Sequence, residues 1–121
     1  MKHSPLLLIT AATCAALASP VSARPSAGFG QVATVDRLRV RPLALLEDSR
    51  CPASVQCIWA GQVRIRAAIT SRNGRKVREM TLGKPILVNG GMLTLFAAEP
   101  PKLAPGNTNP RRYRFTFRFA R

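Results

Sequence analysis

Histidine is nearly missing from this chain: its single copy, His3, lies beside the N-terminus. Beyond that residue no Ser–His or Cys–His nucleophile pair and no histidine metal centre can be assembled. Acids are almost as scarce, at five against 19 basic residues. Asp36, Glu47, Asp48, Glu79 and Glu99 are too scattered to converge on calcium. Glu47 and Asp48 are neighbours, but adjacency does not place two carboxylates on opposite sides of a glycoside. The sequence therefore points away from an enzyme and implies no catalytic residue, metal or cofactor. No window shows a helical apolar repeat, and after residue 23 no apolar run approaches the 18 residues of a spanning helix.

What is present begins with an export signal. Lys2 and His3 give a basic start, and Pro5 to Leu17 is uncharged and apolar. Ser19-Pro20 breaks the run, and Val21-Ser22-Ala23 puts small residues where signal peptidase reads. Residues 1–23 are expected to be removed, leaving residues 24–121 as one small domain, periplasmic or extracellular. Lipid anchoring at Cys14 is disfavoured, because Ala11-Ala12-Thr13 is a poor lipoprotein signal.

Removal of the signal leaves Cys51 and Cys57 as the only cysteines. An even pair in an exported chain reads as a bridge. Closing so short a loop stabilises by roughly 2–2.5 kcal/mol in the chain-entropy model. The spacing is not Cys-x-x-Cys, and no lysine or histidine is nearby in sequence to activate a thiol, so redox chemistry is not expected.

The dominant period downstream is two. Alternation runs through 32–37 and 38–42, where Pro42 marks an edge, bulge or break, and Leu43 to Leu46 extends that strand or begins another. It is clearest from Gln62 to Ile69. Ser71-Arg72-Asn73-Gly74 reads as a hairpin turn into a return strand over Lys76 to Leu82. Asn89-Gly90-Gly91 joins a second pair, and the proline-rich stretch Glu99 to Pro110 is a loop. In the closing strand Tyr113, Phe115, Phe117 and Phe119 share the dry face, and Arg112, Arg114, Thr116 and Arg118 the wet one. The expectation is an all-β domain of about seven strands with one disulfide, a small antiparallel sandwich or closed barrel.

The cysteine stretch leads into the clearest strand. Cys57, Trp59, Gly61, Val63 and Ile65 share parity, so an unbroken strand turns Trp59 into the core beside the bridge; a bulge at Gly61 would change that register. An exposed Trp59 would instead be a ligand platform. Asp48 is expected to accept backbone hydrogen bonds in the turn or to pair with Arg50. Asp48-Ser49-Arg50-Cys51-Pro52, four residues, then Cys57-Ile58-Trp59-Ala60-Gly61 resembles a motif of small exported bacterial proteins of uncharacterised function, some of them lipoproteins. The resemblance implies an envelope location and a bridged β-domain, and no activity.

Charge is the remaining signal. Without Lys2, 18 basic residues face 5 acidic ones, a net charge of +13. Such a field favours anionic partners, namely an envelope polymer or an acidic protein, whereas an exported chain has little occasion to meet nucleic acid. Two interaction readings follow. In one, Arg64, Arg66, Arg112, Arg114 and Arg118 form a contiguous basic face for an anionic polymer. In the other, the bridged loop Pro52 to Gln56, with Val55 at its tip, docks a protein partner or inhibits one. Alternating arginines are also what a solvated strand face looks like. The oligomeric state stays open.

Overall fold

The computed structural model describes residues 2–3, 5, 9–16 and 24–121. The expected cleavage site at residues 21–23 lies outside the described residues. Residues 9–16 have no regular secondary structure and are exposed, and Cys14 is a free thiol.

The domain is all-β: eight strands in two antiparallel sheets, which do not close into a barrel. Among the described residues the only helix is a 3₁₀ turn at Pro110–Arg112. Strands β1 (Ser26–Ala27), β8 (Arg114–Ala120), β7 (Gly91–Glu99) and β6 (Ile86–Val88) lie side by side in that order. The second sheet runs β2 (Ala33–Val35), β3 (Leu38–Asp48), β4 (Val63–Ser71) and β5 (Gly74–Thr81). The sandwich is therefore the form adopted, with eight strands in place of about seven.

Alternation explains which face each strand buries. Val63, Ile65, Ala67 and Ile69 of β4 meet Leu93 and Leu95 of β7 and Phe115 and Phe117 of β8 in one apolar core. Among the described residues this core contains no buried polar or charged residue. Phe29 packs edge-on against Tyr113 and Phe115, with ring centroids 5.7 and 5.1 Å apart. Asn89 and Gly90, both at positive φ, make the primed two-residue turn that matches strand twist between β6 and β7.

β3 departs from simple alternation in a way that positions the site. Its register against β4 shifts between Pro42 and Ala44 and again between Leu45 and Glu47. Each shift inserts one extra residue, so Leu45 still faces inward opposite Ile65, and Asp48 faces inward opposite Val63. Glu47, opposite Arg64, faces outward. At the open edge, Lys76 and Arg78 of β5 take inner-face positions opposite Ile69 and Ala67 yet remain exposed. Inward-facing charge of this kind keeps an edge strand wet and resists pairing with another chain.

Candidate functional site

The site grows from the end of β3. Asp48 arrives on the inner face at the rim of the sandwich, its side chain only 7% exposed. Two residues on, Arg50 folds back: its Nε donates to Asp48 Oδ1 at 2.8 Å and its Nη2 to Oδ2 at 2.9 Å. The remaining guanidinium donors reach the carbonyls of Ala98 at 3.1 Å and Pro100 at 3.0 Å. Tyr113 donates its hydroxyl to Asp48 Oδ2 at 2.6 Å, and Lys102 Nζ donates to the Asp48 carbonyl at 3.0 Å. Asp48 and Arg50 together thus tie the end of β3 to the end of β7, the loop after it and the residue before β8.

Electrostatics follow from this geometry. The paired hydrogen bonds from Arg50 hold the Asp48 carboxyl down at about 2, against the opposing effect of burial. Asp48 in turn pushes the Arg50 guanidinium up, and burial raises the Tyr113 phenol with help from the carboxylate it contacts. A carboxylate so held stays ionised at neutral pH and is no proton donor there. Its neighbour Glu47 projects to the other face of β3, so the two acids do not form a facing pair.

Above this knot the chain makes the bridged loop. Cys51 and Cys57 are joined, with Cα atoms 5.8 Å apart. Backbone bonds close the loop's base: Ser49 N–H to the Gln62 carbonyl at 2.9 Å and Cys51 N–H to the Ala60 carbonyl at 3.2 Å. Ala53 and Ser54 donate to the carbonyls of Lys102 and Leu103, fastening the loop to the segment that Arg50 already holds. Gly61, at φ +72°, sits so close to the Ser49 carbonyl that any Cβ would overlap it. Only glycine fits both requirements.

Gly61 also explains the main correction. Trp59 is not a core residue: it is 81% exposed, and Ile58 beside it is 94% exposed. An unbroken strand through Cys57 would bury the indole, but β4 begins at Val63 and the left-handed Gly61 breaks the register. The indole therefore points to water, and Val55 and Leu103 add further exposed apolar surface on the same pair of loops.

The five arginines expected to share one basic face do not lie on one sheet. Arg64 and Arg66 project from the outer face of β4, where Glu47 stands opposite Arg64 and Glu79 opposite Arg66. Arg64 also pairs with Glu79 at 3.1 Å. Arg114 and Arg118 project from β8 in the other sheet, with Glu99 opposite Arg114 and the Arg118 guanidinium 3.3 Å above the Phe96 ring. Arg112 lies outside the strand, in the 3₁₀ turn. Asp48, Arg50, Pro52 and Gly61 do converge at the bridge. Tyr113 and Lys102 were missed as partners of Asp48, because a contact across 65 residues leaves no local signal.

The fold and site define a disulfide-stapled β-sandwich that displays a hydrogen-bonded loop with an exposed tryptophan beside it. Searches against protein-family models, curated proteins and solved structures find no match to the chain.

Proposed function

We propose that this protein is an exported, non-enzymatic binding module that docks a protein partner through the exposed Ile58–Trp59 pair that follows its bridged loop. The observation that carries the reading is the contrast between exposed side chains and an anchored backbone. The side chains of Ile58 and Trp59 face solvent, while Asp48, Arg50, Gly61 and the bridge hold the backbone beneath them. A pre-ordered loop loses little entropy on binding, and tryptophan is the residue most enriched at interface hot spots. The Cys51–Cys57 bridge and the apolar segment before residue 24 support an oxidising compartment outside the cytoplasm. The net charge of +13 over residues 24–121 favours a partner whose apolar pocket has an acidic rim.

The test places a photo-crosslinking residue at position 58 in the exported protein and identifies what it captures in intact cells and in the secreted fraction. One partner whose capture falls at least about 30-fold with Trp59→Ala, the loss expected of a desolvated hot spot, supports the reading. Capture indifferent to Trp59→Ala defeats it.

A further inference from the structure

We propose that Arg39, Arg41 and Arg75 form a phosphate-binding site on the outer face of the β2–β3–β4–β5 sheet. The register builds it. Arg39, Thr70 and Arg75 form one cross-strand row over β3, β4 and β5, and Arg41 stands opposite Ala68 in the next row on that face. Strand spacing places the Cα atoms of Arg39 and Arg75 about 10 Å apart, and those of Arg39 and Arg41 about 7 Å apart. Three long side chains therefore surround the small residues Ala68 and Thr70. With Val32 they line an open cleft of about 280 Å³. Ala68 faces outward yet is only 3% exposed, so neighbouring side-chain stems lie over it.

Charge matching separates this cluster from Arg64, Arg66 and Arg114, each of which stands opposite an acid. Asp36 pairs with Arg121, Asp48 with Arg50, and Glu79 with Arg64. Glu47 stands opposite Arg64, and Glu99 opposite Arg114. Every acid of the chain is thus set beside an arginine outside the cluster. Among the described residues Arg39, Arg41 and Arg75 make no ion pair, and no acid lines their cleft. Three guanidinium forks around one shallow floor suit a tetrahedral anion with three free oxygens, a phosphate group, better than a planar carboxylate. The site lies toward the start of β3, and the bridged loop follows its end. Because β3 carries two bulges, Arg39 and Asp48 are separated by the seven ladder steps from Thr70 to Val63, roughly 23 Å, so loop and cleft can be occupied together.

The experiment titrates the purified, oxidised protein by calorimetry with three probes: inorganic phosphate, sodium tripolyphosphate, and phosphatidylcholine vesicles containing phosphatidylglycerol. R39Q/R41Q/R75Q is compared with R64Q/R66Q/R114Q, which removes the same charge. Matching thermal unfolding of the two variants checks that both fold, and the side-chain Nε–H resonances of the parent report which arginines a probe touches. The expected result is a loss of at least about 30-fold for the first variant and less than about 3-fold for the second, with shifts centred on Arg39, Arg41 and Arg75. Tightest binding by tripolyphosphate points to a phosphate polymer as the source, and by vesicles to lipid headgroups; either supports the site. Equal losses in the two variants, or no binding of any probe by the parent, would overturn it.

Discussion

Replacing Asp48 by Asn tests the knot that holds the loop. The change keeps the size of the side chain but leaves the Arg50 guanidinium, 16% exposed, without its carboxylate, and it weakens the acceptor of the Tyr113 hydroxyl. Breaking a buried pair from one side costs about 3–5 kcal/mol, and partial exposure of Arg50 puts the expectation near the lower figure, about 3 kcal/mol. For a domain of this size that is a fall in Tm of about 12–24 °C at pH 7. The same substitution has a distinct pH signature. The Asp48 carboxyl sits at about 2 in the folded protein against an ordinary 3.8, so as pH falls the unfolded chain takes up its proton first. The stabilisation is complete above about pH 5, declines from about pH 4, and is gone below about pH 2. Measured by urea unfolding with the disulfide intact, the advantage of the parent over Asp48→Asn is expected to shrink by about 2 kcal/mol between pH 5 and pH 2. A Tm loss below about 4 °C, or a gap that does not change with pH, refutes the reasoning.

Other expectations follow from the same geometry. Gly61→Ala combines a left-handed backbone with overlap on the Ser49 carbonyl, and thermal unfolding should show a loss of more than about 2 kcal/mol. Replacing Cys51 and Cys57 by Ser should cost about 2 kcal/mol in chemical denaturation without altering the strand signal in circular dichroism. Trp59→Ala, by contrast, should leave stability within about 0.5 kcal/mol, since the indole is 81% exposed. Iodide should quench the chain's one tryptophan almost as well in the native protein as in urea; a strongly shielded native indole would contradict the exposed pair.

Much of the fold is legible in the residues. The alternation of Val63, Ile65, Ala67 and Ile69, and of Tyr113, Phe115 and Phe117, marks faces that are in fact buried. The turns near Asn73-Gly74 and Asn89-Gly90 announce themselves through residues that tolerate positive φ. The turn between β2 and β3 does not, because Asp36 takes φ 55° without a glycine to mark it. Of the two bulges in β3, the one beside Pro42 is marked by that proline, whereas the one between Leu45 and Glu47 is silent: an inserted residue changes which side chains face inward without changing their hydrophobicity. The site was legible in part. The residues of the bridge stood out, but the fate of Trp59 hung on one glycine's handedness, and the partners of Asp48 come from the far end of the chain. The cluster of Arg39, Arg41 and Arg75 depends on the register of three strands, which alternation alone does not supply.

The placement of the basic residues on strands has a consequence for resistance to proteolysis. By composition this chain is rich in bonds that trypsin-like proteases cut. Yet Arg39, Arg41, Arg64, Arg66, Arg75, Lys76, Arg78, Arg114 and Arg118 all lie within β3, β4, β5 and β8, where ladder hydrogen bonds keep the backbone from being drawn into a protease cleft. Arg50, next to the bridge, is anchored by its own side chain. First cuts in the folded domain are therefore confined to its margins, at Arg24 and at loop residues such as Arg72 and Arg111. An unfolded copy would be shredded by the same protease, so digestion itself would sort folded molecules from failed ones.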